Sequence, residues 1–172
     1  MHLIRPTEQR DFEQMAQLVN RFISDTVVHF GYAPVSAAEL RSQWDESRAR
    51  YPWLTLELDG DFGGFAKAGV WRSREAYRWT AEVGLYLVES ARGRGLGTAI
   101  YRELLDDLRR RGFHSAIGGV TLPNEASVRL HERLGFEFVG RFRHAGYKFG
   151  GWHDVGFWQV VLADASHRPG SA

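Results

Sequence analysis

A segment rich in glycine and arginine lies between a predicted strand and a predicted helix, which is the order that an anion-binding loop requires. Alternating apolar residues indicate a strand that starts at Glu82, and residues 92–97 then read RGRGLG. Apolar residues spaced three and four apart over residues 100–108 predict the helix. Glycines let the backbone present several N–H groups to one ligand, and the helix adds the positive end of its dipole. The segment is therefore predicted to bind an oxygen-rich anion.

Two common phosphate-binding loops do not fit this segment. A Walker loop needs Gly-Lys followed by Ser or Thr, which the sequence lacks, and the dinucleotide fingerprint Gly-x-Gly-x-x-Gly is one spacing longer than the glycines found here. What fits is Arg-x-x-Gly-x-Gly, formed by Arg92, Gly95 and Gly97. This pattern resembles the acetyl-CoA pyrophosphate loop of the GNAT superfamily of N-acetyltransferases. For the loop taken alone, the alternative is a flexible glycine turn with solvated arginines.

A second polar stretch follows downstream and reads NEASVRLHERLGF over residues 124–136. It resembles the GNAT pattern of Asn-x-x-Ser, then an aromatic residue or His, then Gly-Phe. Asn124 can bind the amide-rich pantetheine arm of CoA or cap the helix that begins there. Ser127 and His131 are four residues apart and share a helix face, so His131 can meet the thiol of CoA. A capping asparagine and a core histidine are the alternative roles.

Several further runs resemble the phosphinothricin and methionine sulfone N-acetyltransferase branch of that superfamily. They are RYPWL at residues 50–54, WTAE at 79–82, LPN at 122–124, LHE at 130–132 and AGYKFGGWHDVGFWQ at 145–159. The likeness covers nearly the whole chain, from Ile4 to Leu162. It implies a homodimer that transfers acetyl from acetyl-CoA, without a metal, to the amino group of a small amino acid or analogue. Phosphinothricin, methionine sulfone and methionine sulfoximine are acceptors of that type.

The resemblance also implies which residues carry the chemistry. Glu82 matches the family's catalytic glutamate, a general base for the acceptor ammonium, which must lose a proton before it attacks. His131 stands where many members have a general-acid tyrosine, so it is the predicted acid or second base. A backbone N–H of the strand is expected to bind the charge that develops on the thioester oxygen. The alternatives are a surface carboxylate for Glu82 and a core role for His131. The predicted acetyl-CoA-binding residues are Leu85, Tyr86, Leu87, Arg92, Gly93, Arg94, Gly95, Leu96, Gly97, Thr98, Asn124 and Ser127.

The acceptor is expected to contact the segment WRSREAY at residues 71–77, which matches the substrate segment of the branch. It contains Arg72, Arg74 and Tyr77, and arginine forks suit carboxylate, sulfone or phosphinate oxygens. Phe30 matches an aromatic residue in the branch's early substrate loop. A solvated charged loop is the alternative for the arginines.

Two dipeptides depart from the branch near the acceptor. Val28-His29 replaces the small polar residue and Asn that usually precede the aromatic residue. Val83-Gly84 replaces the usual Ser or His followed by Thr or Ser. These departures leave the identity of the acceptor open, whereas the donor is unaffected.

The elements that position these residues are predicted in the order β-α-α-β-β-β-α-β-α-β-β. Thr7 is the predicted N-cap of a first helix over residues 8–24, and a capping box at residues 36–39 starts a second helix over residues 37–50. The crossover around the glycine loop makes its two strands parallel neighbours. The predicted fold class is α/β, and the resemblance implies a single-domain GNAT fold. Such a fold has a mixed, mostly antiparallel twisted sheet splayed at a central parallel strand pair, with helices on both faces. It is predicted to occupy residues 1–163, with a disordered tail over residues 164–172.

The composition bounds the function further. The chain has 172 residues, of which 44% are hydrophobic, so it can bury one core of ordinary size. Its net charge of +1 gives no basic field for nucleic acid. The absence of cysteine excludes disulfides and thiolate metal sites and fits a cytoplasmic protein. No apolar run approaches the roughly 20 residues of a membrane span, and the N-terminus lacks the apolar core of a signal peptide.

The sequence therefore predicts a cytoplasmic acetyl-CoA-dependent N-acetyltransferase for a small amino acid or analogue. One alternative keeps the fold but acts on a protein N-terminus or a polyamine, which an acidic groove would favour and the arginines argue against. Another is a non-catalytic CoA-binding sensor, which the loss of Glu82 or His131 would have supported. Both residues are present.

Overall fold

The structure is a computed structural model that describes residues 1–164. Its elements follow the predicted order, with three short 3-10 turns between them. The helices are α1 (Phe12–Asp25), α2 (Ala37–Ser47), α3 (Leu96–Arg110) and α4 (Glu125–Arg133). The strands are β1 (His2–Pro6), β2 (Trp53–Leu58), β3 (Asp61–Val70), β4 (Thr80–Leu87), β5 (Ser115–Leu122), β6 (Glu137–Lys148) and β7 (Gly151–Val161). The tail predicted from residue 164 onward lies, from residue 165, outside the described residues.

The strands form one seven-stranded sheet in the order β1-β2-β3-β4-β5-β7-β6. Every pairing is antiparallel except that of β4 with β5, which is parallel and central, as the crossover rule predicted. These two strands pair only at Thr80–Ser115, Ala81–Ala116 and Glu82–Ile117. Beyond Glu82 they diverge, so the predicted splay of the sheet is confirmed. The splay leaves one edge of β4 without a ladder partner among the described residues, and an opening forms between the two strands.

Two apolar clusters pack on opposite faces of the sheet and hold the splayed strands in place. Alternate residues of β2, β3 and β4 point to opposite faces, because the side-chain period of a strand is two. One set, with Ala66, Ala68 and Val83, packs against α3. The other set, with Trp53 and Phe65, packs against α1 and α2. Helices therefore cover both faces, as expected.

The local signals at the helix ends and turns are mostly confirmed. The Ser36 hydroxyl accepts from the Glu39 N–H, and the Glu39 carboxylate accepts from the Ser36 N–H, which completes the capping box. α2 ends at Ser47 instead of residue 50. Gly112 and Gly135 end the next two helices with φ of +79° and +84°, a conformation that glycine adopts without strain.

The predicted start of the first helix is wrong. Thr7 does not cap it, because its hydroxyl shares a buried 3.1 Å hydrogen bond with the hydroxyl of Thr55 on β2. A 3-10 turn over Gln9–Asp11 follows, and the Asp11 carboxylate accepts from the Glu8 N–H at 2.8 Å. The α-helix proper begins only at Phe12. A contact from a distant strand therefore displaces the local cap.

Two features are absent from residues 1–164. No helix there is long and apolar enough to cross a membrane. No group of three or more His, Cys, Asp or Glu residues in that part of the chain is placed to hold a metal ion.

Candidate active site

A cavity of about 650 Å³ opens where β4 and β5 diverge. Its walls are the outer part of β4, the loop before α3, the first turns of α3, the end of β5, and α4. Ten of the twelve predicted acetyl-CoA-binding residues line it: Leu85, Tyr86, Leu87, Arg92, Gly93, Gly95, Gly97, Thr98, Asn124 and Ser127. The two sequence stretches that the motifs singled out thus face one another across a single space.

The glycine loop has the backbone conformation that an anion site needs. Gly93 and Gly95 have φ of +70° and +77°, the left-handed region in which other residues are strained. Gly95 is the N-cap of α3, and no side chain caps the helix there. The first N–H groups of α3 therefore remain available beside the cavity, at the positive end of the helix dipole. A Cβ at Gly97 would lie only 3.2 Å from Leu87, so the loop also packs closely on β4.

The other residues of the loop have structural contacts. The Arg92 guanidinium donates twice to the Leu87 carbonyl, at 3.0 and 3.1 Å, and so fastens the loop to the end of β4. Leu96, the first residue of α3, is buried in the core. Arg94 is exposed and donates to the Ser90 carbonyl at 3.4 Å. Neither Leu96 nor Arg94 lines the cavity.

The second stretch forms the opposite wall. The Asn124 side chain accepts from the Ser127 N–H at 3.1 Å and so caps α4 while lining the cavity. His131 is 5% exposed, and its Nδ1 lies 2.8 Å from the Ser127 carbonyl. Since a carbonyl only accepts, Nδ1 carries the proton and Nε2 offers a lone pair. Burial lowers the pKa of His131, and the bond to Ser127 opposes this only in part, so the neutral imidazole is favoured at pH 7.

Glu82 lies at the last paired position of β4 and β5, where the splay begins. Its side chain is accessible to solvent, yet the protein around it excludes enough water to raise its pKa above that of an ordinary glutamate. The positive charge of Lys67 on β3 opposes this rise. A carboxylate that holds protons more strongly than usual is better matched to a general base at neutral pH.

Phe30 belongs to a loop after α1 that lies over the splayed edge. Thr26 and Val28 of this loop line the cavity. Phe30 packs instead on Gly146 of β6, where a Cβ would lie only 2.4 Å from the Phe30 ring. The loop is fixed by Lys148, which is 3% exposed. Its ammonium donates to the carbonyls of Ile23, Thr26 and His29 at 2.5 to 2.8 Å. No sequence motif indicates this clamp.

The predicted acceptor residues do not join the main cavity. Arg72, Arg74 and Tyr77 are exposed and line a separate hollow of about 290 Å³. The Arg72 guanidinium lies 5.3 Å from the Trp71 ring centroid and 5.9 Å from that of Tyr77. The two arginines thus share one hollow, whose lining contains neither Glu82 nor His131.

Comparison with known proteins agrees with this geometry. The model of the acetyltransferase (GNAT) family matches residues 14–136. The chain belongs to the GNAT family. It is 42% identical to a phosphinothricin N-acetyltransferase of Streptomyces viridochromogenes, over 91% of this chain and 85% of that protein. It is 34% identical to an L-methionine sulfoximine/L-methionine sulfone acetyltransferase of Pseudomonas aeruginosa, over 96% and 98% of the two chains.

Solved GNAT structures have the same fold. A phosphinothricin acetyltransferase of Sinorhizobium meliloti in complex with acetyl-CoA superposes with a TM-score of 0.94 at 28% identity, covering 98% of this chain and 93% of that one. A ribosomal-protein-alanine N-acetyltransferase of Brucella melitensis superposes with a TM-score of 0.87 at 34% identity, covering 92% and 99%. The GNAT fold predicted from the motifs is confirmed.

One residue of the cavity that the motifs did not indicate is Tyr101 on α3. It lines the cavity, and its hydroxyl lies 3.1 Å from His131 Nε2. Because Nε2 carries the lone pair, the hydroxyl donates, and its oxygen keeps lone pairs for a ligand. Gly118 on β5 makes room for this pair, since a Cβ there would lie 2.2 Å from Nε2. In the sequence Tyr101 was only one of the apolar residues of the α3 pattern.

The other unexpected residue is Lys67 on β3. It is half-buried, and its ammonium lies 4.7 Å from the Trp53 ring centroid. Burial lowers the pKa of Lys67, and the charge of Glu82 opposes this. Only the register of β3 with its two neighbouring strands shows which residues Lys67 faces.

Proposed function

We propose that the protein is an acetyl-CoA-dependent N-acetyltransferase that acetylates the amino group of a small amino acid or analogue. Phosphinothricin, methionine sulfone and methionine sulfoximine are acceptors of this type. The observation that carries the proposal is one cavity whose wall contains the glycine loop at the uncapped N-terminus of α3 and the β4 residues Val83 and Gly84, which directly follow Glu82. The names of its relatives support the same acceptor class.

The proposed seat for acetyl-CoA follows from the groups that line the cavity. The N–H groups of the glycine loop and of the first turn of α3 would hold the pyrophosphate. The arm of CoA would lie between the unpaired edge of β4 and the start of α4, near Asn124 and Ser127. The thioester supplies an activated acyl group when bound. Strand N–H groups in the Leu85–Leu87 region would stabilise the charge that develops on its oxygen.

The proposed proton transfers use two groups. Glu82 takes the first proton from the acceptor ammonium, directly or through water, so that a neutral amine is available. A second proton leaves the nitrogen as the C–N bond forms. The Tyr101 oxygen accepts it while the hydroxyl proton moves to His131 Nε2, and the reverse transfer delivers it to the departing sulfur. Tyr101 and His131 both line the cavity, and His131 acts through Tyr101, because its Nε2 accepts from the Tyr101 hydroxyl and its Nδ1 proton is held by the Ser127 carbonyl.

A panel of amines distinguishes the proposed function from its alternatives. Acetyl-CoA consumption is measured with phosphinothricin, methionine sulfone, methionine sulfoximine, the common amino acids, a polyamine and a peptide with an N-terminal alanine. Preference for the amino acids and analogues is expected. Preference for the peptide would support the second candidate, a protein N-terminal acetyltransferase, which the similarity to the Brucella structure favours. Binding of acetyl-CoA without turnover of any amine would support the sensor alternative.

Replacing Gly95 with Val is expected to weaken CoA binding about tenfold or more. Such a loss follows if the altered loop forfeits even one charge-assisted hydrogen bond, worth roughly 1.5–3 kcal/mol. Calorimetry with CoA measures the loss. The matched control is Gly60→Val in the β2–β3 turn, because Gly60 also has a positive φ and open space around it but lies outside the cavity. If both folded variants bind CoA like the wild type, the loop does not hold the pyrophosphate.

Replacing Arg74 with Ala is expected to raise KM for an acceptor with an oxygen-rich side chain and to leave KM for acetyl-CoA unchanged. Arg74 is exposed, so we expect about a tenfold loss, the lower end of a charge-assisted hydrogen bond. Arg74→Lys should restore only part of it, since an ammonium lacks the planar fork. The comparison acceptor is methionine, which lacks the sulfone oxygens. An equal KM change for methionine and its sulfone would show that Arg74 does not bind those oxygens.

We also propose a cytoplasmic homodimer in which residues 1–163 form one domain. The edge strand β6 supports this, because Phe138, Val139 and Phe142 are 56–63% exposed along it. Together with Tyr147, Phe149 and Trp152 they make an apolar surface that a second copy would cover. The nearly neutral chain gives no reason to expect nucleic-acid or membrane partners. Light scattering of the purified protein gives the mass that tests the dimer.

A further inference from the structure

Four residues at neighbouring positions of β3 and β4 share one face of the sheet, and the two that lie diagonally across from each other carry opposite charges. In the antiparallel register of β3 and β4, Gly69 stands opposite Glu82 and Lys67 stands opposite Gly84. Directly opposed residues share a face, and so do residues two apart on one strand. Lys67, Gly69, Glu82 and Gly84 therefore point to the same side. We call them the glycine-flanked patch.

The two glycines leave the patch open. A Cβ at Gly69 or at Gly84 would meet no heavy atom within 4 Å. Gly84 also lines the main cavity, so the patch borders the space proposed for acetyl-CoA. Any larger side chain at these positions would fill the space between the Lys67 and Glu82 side chains. The patch thus has room for a small ligand directly beside the proposed base.

Lys67 is a charge without a strong partner. Its ammonium lies over the Trp53 ring, and within residues 1–164 it has no hydrogen bond or ion pair. Glu82 is close enough to interact with it electrostatically, yet the two side chains form no ion pair within 4 Å. A half-buried ammonium without a hydrogen-bond acceptor is costly unless a ligand supplies one. The missing acceptor would be an anion on the ligand.

We propose that Lys67 binds the α-carboxylate of the acceptor while Glu82 receives its amino group. The inference rests on the proposed acetyltransferase function and assigns the residue that recognises the carboxylate of the amino acid. An amino nitrogen and its carboxylate oxygen are about 3 Å apart, and two charge-assisted hydrogen bonds of about 2.8 Å each let a zwitterion span up to about 9 Å between an ammonium and a carboxylate. A zwitterion can therefore bridge two side chains that interact electrostatically without forming an ion pair within 4 Å.

The arrangement divides acceptor recognition between two sites. The patch holds the two groups that every α-amino acid shares. The hollow of Arg72, Arg74 and Tyr77 is left for an oxygen-rich side chain, such as a sulfone or a phosphinate. An amino acid without such a side chain would then remain a substrate, although a weaker one. A primary amine without the carboxylate would lose the contact with Lys67.

The test compares one amino acid, its carboxamide and its decarboxylated amine in the wild type and in Lys67→Met. The measured quantity is the ratio of kcat/KM for the acid to that for the carboxamide, taken at a pH where both rates have reached their plateau. We expect the wild type to prefer the acid at least about tenfold, and Lys67→Met to lose this preference by lowering the rate on the acid alone. Lys67→Arg should retain part of the preference. The control Arg110→Met removes a positive charge at the other end of α3, about 20 Å from its first turn.

Two results would overturn the proposal. If Lys67→Met slows the acid and the carboxamide equally and moves the acidic limb of both pH profiles, Lys67 serves only as a counter-charge to Glu82. If the wild type prefers the carboxamide or the amine, the anion site does not exist, although the acetyltransferase function stands. If the wild type acetylates none of the three, the proposed function itself fails. In that case, calorimetry of the amino acid with the CoA-loaded protein decides the anion site, with binding weakened by Lys67→Met as the supporting result and unchanged or absent binding as the contrary one.

Discussion

Replacing Glu82 with Gln is expected to lower kcat by about 10²–10⁴, the range typical of a lost general base. The amide has nearly the shape of the carboxylate but cannot accept a proton from the acceptor ammonium. Glu82 lies where β4 and β5 stop pairing, so we expect its side chain to meet the acceptor at the mouth of the opening. Acetyl-CoA affinity should change little, because the predicted contacts with CoA lie further along β4 and on α3 and α4. Steady-state rates and calorimetry together measure both quantities.

The pH dependence gives a sharper test of the same assignment. Burial raises the pKa of Glu82, and Lys67 opposes the rise. The acidic limb of the wild-type rate should therefore lie above the value of about 4.3 for a free glutamate, since activity falls as this carboxylate gains its proton. Glu82→Gln should lose this limb, whereas Glu103→Gln on the exposed side of α3 should keep it. An unchanged limb in Glu82→Gln would mean that another group removes the proton.

The order of elements follows from the sequence because each element carries its own local signals. The capping box at Ser36 predicts a helix start that the structure confirms, and Gly112 and Gly135 stand at the ends of the next two helices. The crossover rule alone gave the parallel pair β4–β5. What failed is the role of Thr7. Its side chain finds Thr55 on a strand 48 residues away, and no local pattern can anticipate such a partner.

The conformation of the glycine loop follows from the sequence. The neighbours of Lys67 and Tyr101 do not, because they depend on strand register and on helix packing. Glycine spacing indicates positive φ directly, so the loop at Gly93 and Gly95 was found. Lys67 looks like any polar residue of a hairpin until its register opposite Gly84 is known. Likewise Tyr101 fits the apolar pattern of α3, and only the packing of α3 on α4 brings it to His131. Arg74 differs from both, because the motif indicated an acceptor-binding arginine but could not show that it lines a separate hollow.

Replacing Tyr101 with Phe is expected to lower kcat about 10²-fold, the lower end of the range for a lost acid–base group. The change removes one hydroxyl and leaves the ring that stacks on Phe136 at 6.0 Å. Burial raises the pKa of Tyr101, so the hydroxyl stays protonated at neutral pH and acts together with His131 rather than as a free phenolate. The matched control is Tyr51→Phe, a buried tyrosine that packs on Phe113 outside the cavity.

A change of acyl donor tests whether Tyr101 protonates the leaving sulfur. A donor with a more acidic thiol, such as an aryl thioester, releases a thiolate that needs no proton. If Tyr101 delivers that proton, the loss in Tyr101→Phe should shrink markedly with this donor, while the loss in Glu82→Gln should persist because the amine still has to be deprotonated. A loss in Tyr101→Phe that is the same for both donors would mean that the hydroxyl does not protonate the sulfur. The comparison separates the two proton transfers, because only the loss in Tyr101→Phe is expected to depend on the donor.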